Sequence, residues 1–228
     1  MATFDAASVA KSGTATSLSW SHTTSADADR IMLVGCFAAA GVIGSISSVT
    51  YNGVGATERY DAQYETFHLH GLYTLVDPDS GSNTVVITWS ASQDQQGGVA
   101  MTFYGRNTTT PFADVTAATG ATTGPATVTV PNVVSGDIVV DFATSYSYGA
   151  GNSAATVGAN QTSRAADISS PAFVVYMGST QAGADGGVMS WTLDTDTSTW
   201  GIIGVRLPAA AAGAEWQGFM GVVTGAAA

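Results

Sequence analysis

Apolar positions along this chain recur at every second residue. In "TATSLSWSH" (14–22) and "TERYDAQ" (57–63) large and polar side chains alternate, the period of a strand with one face in water. "RIMLVGCFA" (30–38) and "DIVVDFA" (137–143) are nearly continuous in apolar residues, which predicts central strands covered on both faces. The breaks between such runs carry turn chemistry. "DPDSGSN" (77–83) combines a proline of fixed φ, aspartates that bond their own backbone and a glycine free to take positive φ. "SQDQQGG" (92–98) and "VSGD" (134–137) do the same.

About 12–14 short strands without helical crossovers predict an all-β chain. The expected form is a single antiparallel β-sandwich, jelly-roll-like, spanning residues 1–207. No internal repeat is evident. The threonine- and alanine-rich stretch Asn107–Thr127 divides two halves and reads as a long surface connection within one domain. The strands on either side carry too few large apolar residues for two independent cores.

The period changes after Leu207. In "PAAAAGAEWQGFMGVVTGAAA" (208–228), Trp216, Phe219, Met220 and Val223 fall on one helical face. Gly218, Gly221 and Gly225 each weaken such a helix by about 1 kcal/mol relative to alanine. Burying the four large side chains contributes about 1.5–3 kcal/mol apiece. Ordering the backbone costs about 1–2 kcal/mol per residue. The segment is therefore expected to act as an assembly arm, shaped by what it docks against. Glu215, Gln217 and the missing basic flank argue against a membrane anchor.

Composition narrows the function. The 228 residues carry a formal net charge of −11, with one lysine and five scattered arginines. No basic patch exists for phosphate backbones, so direct nucleic-acid binding is not expected. The single cysteine, Cys36, lies in an apolar run and reads as a core residue. "MATFDAASVAKSG" has no basic region ahead of an apolar one, so no signal peptide is expected.

Candidate chemistry is sparse. His68 and His70 in "FHLHG" share a strand face and could begin a metal site. No glutamate follows at the needed spacing, and His22 is remote in sequence. They are expected on a solvent face, with Phe67 and Leu69 towards the core. Asp77 with Asp79 and Asp194 with Asp196 read as turn aspartates in place of calcium ligands. No nucleophile elbow or phosphate loop appears. Neither a catalytic residue, a metal nor a cofactor is expected. Trp20, Trp89, Trp191 and Trp200 read as core. Tyr146 and Tyr148, beside a glycine-rich loop, could stack on a sugar ring.

The order of "SSVTYNGVGATE", "LYTLVDPDSGSNTVVITWSAS", "GVAMTFYGRNTTTPF", "TVTVPNVVSGDIVVDFA" and "TWGIIGVRLPA" resembles a β-sandwich family found in phage virion proteins and in bacterial surface or secreted proteins. The resemblance runs from about Ser47 to Pro208. It implies a structural virion component (capsid decoration, fibre or tail-associated) that assembles in the host cytoplasm with copies of itself or other virion proteins. The alternative, supported by Tyr146, Tyr148 and the long loops, is a carbohydrate-binding or adhesive module at a cell surface or outside the cell.

Overall fold

The computed structural model describes residues 2–39, 44–64, 68–121, 124–146, 155–167, 174–193 and 199–210. These form seventeen strands in four antiparallel sheets, with one 3-10 turn at Gly183–Asp185. The all-β reading holds. The arrangement is four layers deep, however, where a single sandwich was expected.

The strands are numbered in chain order. Sheet II runs β1 (Thr3–Ser12), β9 (Gln95–Tyr104), β3 (Ile31–Ala39), β7 (His68–Val76), β6 (Thr57–Tyr64). Sheet I runs β2 (Ala15–Thr24), β8 (Gly81–Gln93), β4 (Ile46–Tyr51), β5 (Val54–Gly55). Sheet III runs β10 (Ala113–Gly120), β17 (Thr199–Leu207), β12 (Ile138–Tyr146), β15 (Val174–Ala182), β14 (Gln161–Asp167). Sheet IV runs β11 (Pro125–Thr129), β16 (Val188–Leu193), β13 (Ala155–Val157).

Three cores separate the four layers. Met32, Val34 and Cys36 of β3 meet Val85, Ile87 and Trp89 of β8, between sheets I and II. Leu33 and Phe37, on the other face of β3, join Phe142 and Val140 of β12 between sheets II and III. Val139 and Ala143 of β12 then meet Met189 and Trp191 between sheets III and IV. The two continuously apolar runs are thus the middle strands of the two inner sheets, and each feeds two cores. This is why both halves build a core of their own, against expectation. The Asn107–Thr127 stretch is also more than a connection: it contains β10 and the start of β11.

Each outer sheet sends a buried tryptophan inward, and its N–H needs an acceptor. Trp89 Nε1 donates to Gln96 Oε1 at 2.6 Å. Trp191 Nε1 lies 3.1 Å from both carboxylate oxygens of Asp141, which is fully buried on β12. Asp141 also accepts from Ser179 N and Oγ (both 2.9 Å) and from Gln161 Nε2 (3.1 Å). Burial raises its pKa to about 6, and these donors hold it back from rising further. Asp141→Asn places an NH2 group among donors and leaves some unsatisfied. Denaturant unfolding at neutral pH should show a loss of about 1–3 kcal/mol.

Candidate functional site at the seam between two sandwiches

The two halves are structural copies. Matching β1 to β10, β3 to β12 and β6–β9 to β14–β17 puts sheets II and III in the same strand order. The registers agree residue by residue. Ile31 is opposite Phe103 and Val76, and Ile138 is opposite Leu207 and Ala182. All four edge strands of the inner sheets break register: Glu58/Tyr60 and Ser163/Ala165 at equivalent places, and Phe4/Ala6 and Ala113/Thr116 within two residues of equivalence.

The seam is built from contacts that occur twice, once in each direction. Arg59 sits in the β6 bulge, donates from Nε to Thr74 Oγ1 at 2.8 Å, and lies 4.0 Å above the Phe112 ring of the second half. Arg164 sits in the β14 bulge, donates from Nε to Thr180 Oγ1 at 2.8 Å, and lies 4.1 Å above the Phe4 ring of the first half. The same exchange occurs over glycine. A side chain at Gly201 would collide with the His70 ring, and one at Gly97 would collide with the Tyr176 ring. By register His70 matches Tyr176, and Gly97 matches Gly201. Gly35 faces Phe142, its own equivalent, so the pseudo-twofold axis passes close to that pair.

Cation–π contacts at partly exposed sites contribute about 0.5–1 kcal/mol. Arg59→Leu and Arg164→Leu should each lower the unfolding free energy by about that much. The two clasps lie apart, so the double variant should show the sum of the two losses in denaturant titrations.

His68 and His70 are placed otherwise than expected. Both are almost wholly buried, at 1% and 2% exposure. Strand β7 belongs to an inner sheet, so both its faces are covered. Leu69 points into the core between sheets I and II, and the histidines point to sheet III. His68 Nδ1 is 2.8 Å from Thr199 Oγ1, and its ring stands edge-on to Tyr146 with centroids 5.5 Å apart. His70 packs edge-on to Phe37, and its Nε2 has no hydrogen-bond partner among the described residues. Desolvation lowers His68 to about 4 and His70 to about 3, so both are neutral. Tyr146 is buried in the same seam, which removes its ring from the surface position that sugar stacking requires. Tyr148, Asp194, Asp196, Phe67 and the arm residues Trp216, Phe219, Met220 and Val223 lie outside the described residues.

The other aspartate pair is occupied in turns. Asp77 takes positive φ and pairs with Arg106 at 2.9 Å, and Asp79 accepts from Asn52. Among the described residues no group of three or more His, Cys, Asp or Glu could hold a metal ion. No helix among them is long and apolar enough to cross a membrane.

One polar chain has the form of a proton relay. Trp20 Nε1 donates to Ser8 Oγ at 2.9 Å, and because Thr102 gives its hydrogen to Asp5, His22 carries its proton on Nε2 and accepts from Ser8 at Nδ1, 2.7 Å away. His22 Nε2–H then reaches Thr102 Oγ1 at 3.2 Å, and Thr102 donates to Asp5 Oδ2 at 3.0 Å. Sequence distance hid this grouping; only the pairing of β1 with β9 and the facing of sheets I and II bring it together. Desolvation lowers His22 to about 4, far below what a general base near neutrality needs. Every member is hydrogen-bonded, and the network fastens the edge strands of two facing sheets.

No protein-family model, curated protein or solved structure matches this chain.

Proposed function

We propose that the chain is a non-enzymatic structural protein of a phage virion, assembling with copies of itself or with other virion proteins. The observation that carries the reading is the duplicated sandwich. In the first half, order β1-β9-β3-β7 faces β2-β8-β4-β5. We read that order as jelly-roll-like, an architecture used in viral capsid and lectin domains. Two such units joined by a shared core make a stiff block, a property useful to a shell or fibre component. The bulged inner edges point the same way, because they block uncontrolled strand addition and leave assembly to other surfaces. The reading also draws on the sequence resemblance described above for Ser47 to Pro208.

The test is particle mass. Light scattering on the full chain should give an oligomer or larger particle, and deleting Gly213–Ala228 should reduce it. A 23.0 kDa monomer across micromolar concentrations, unchanged by the deletion, would refute the reading.

A further inference from the structure

Among the described strands, β2 is the long edge that carries no guard. Edge strands leave N–H and C=O groups unpaired, and proteins protect them by shortness, bulges, proline or charge. The four inner-sheet edges are bulged, β5 has two residues, β13 has three, and β11 has five and begins with Pro125. Strand β2 has ten residues, with no proline and no Asp, Glu, Lys or Arg. Its one histidine, His22, is buried. Its register breaks only at the start, between Ala15 and Ser17, so Ser17–Thr24 runs regularly.

The direction of the free groups follows from the pairing. Asn52 N donates to Thr84 O, so Thr84 turns its N–H and C=O to the β4 side of β8. Successive residues of an antiparallel strand point these groups to opposite sides. Thr84, Val86 and Thr88 therefore face β4, and Ser21, Ser19 and Ser17 opposite them turn their own groups away from β8, as does Thr23. These four side chains are exposed, whereas Leu18 and His22 are buried and Trp20 is half-buried. A second copy of this segment, turned about a twofold axis at Trp20, sets Ser19 against Ser21 and Ser17 against Thr23. All four outward residues then exchange N–H···O bonds with their opposites, hydroxyl side chains stay on the solvent face, and the Trp20 rings meet at the axis. Nothing charged on β2 opposes this approach, although each chain carries −11. Residues 208–228 have apolar side chains at helical spacing and lack the alternation that a pairing strand needs.

We propose that β2 is a self-association edge, pairing antiparallel with β2 of a second copy about a twofold axis at Trp20. This names a surface for the self-association proposed above and rests on that part of the reading, not on the virion.

The experiment uses the full chain and light scattering. Ser19→Pro removes an outward N–H at an edge position, where a strand tolerates proline. It should lower the particle mass at least twofold, and so should Ser19→Lys combined with Ser21→Lys. Ser48→Lys, exposed on β4 of the same sheet, should leave the mass unchanged. An unchanged far-UV circular dichroism spectrum confirms that each variant is folded. The chain lacking Gly213–Ala228 should still form a dimer, and Ser19→Pro should make it a monomer. The register is read by oxidising a mixture of Ser19→Cys and Ser21→Cys proteins, since the native Cys36 is buried. Mixed disulfide dimers should exceed like-with-like dimers at least tenfold, and like-with-like links would overturn the axis at Trp20. A mass unmoved by both β2 variants would overturn the interface and leave the self-association proposed above standing. A monomeric full chain would overturn both.

Discussion

Exchanging Gly35 and Phe142 should restore most of the stability that either single change removes. The two residues are equivalent by register, one on each side of the seam, and the Phe142 ring occupies the space in front of Gly35. Phe142→Gly empties that space from a site with no solvent exposure. A large-to-small aromatic change costs about 3–5 kcal/mol, and glycine in a strand adds up to about 1. Gly35→Phe forces a second ring into a filled core and costs about 3 kcal/mol or more. In the double variant the ring rises from β3 into the space vacated on β12, close to the pseudo-twofold axis. A coupling energy of about 3 kcal/mol is expected, read from denaturant midpoints at constant slope. Because both inner sheets feed the same core, each single variant should unfold in one transition. A double variant as unstable as the sum of the singles would show that the seam is not interchangeable about that axis.

How much of this was legible in the sequence depends on the distance over which the signal acts. Period-two alternation is local, so strands such as β2, β3 and β12 are readable directly. The apolar run at 30–38 announced a doubly covered strand, and β3 is one. The same logic misled at His68 and His70, because alternation shows which residues share a face but not whether that face is covered. A third and a fourth layer leave no mark on an individual strand. The duplication was hidden for another reason. Equivalent residues are separated by 108 positions at Phe4 and Phe112, 107 at Ile31 and Ile138, 105 at Arg59 and Arg164, and 104 at Gly97 and Gly201. Loops of unequal length make the spacing drift, so no fixed period survives. "T-x-R" at 57–59 and 162–164 is the visible trace, and it marks the bulges that carry the clasps. The Ser8–His22–Thr102–Asp5 chain was not readable at all, since its members come together only through sheet facing.

Acidification from pH 7 to pH 4 should destabilise the fold steadily, at a slope close to one net proton. His22, His68 and His70 have folded pKa values near 4, 4 and 3, lowered from 6.5 by burial. Between those values and 6.5 the unfolded chain binds protons that the native chain refuses, so stability is lost as pH falls. Two carboxylates work in the opposite sense. Burial raises Asp141 and Asp61 to about 6 from 3.8, so between these values the native state is the one that takes up protons. Three histidines against two carboxylates leave about one proton in excess on the unfolded side, or about 1.4 kcal/mol per pH unit. Asp137, held low against its burial by the backbone N–H groups of Val134 and Ala209 and by Arg206, extends the loss further into acid. The components can be separated by substitution. His70→Leu should flatten the profile near pH 5 almost to zero, and Asp141→Asn should steepen it to about two protons. Denaturant unfolding in steps of half a pH unit reads both changes. A profile that rises on acidification, or one that His70→Leu leaves unaltered, would mean that the seam histidines are not held neutral by their burial.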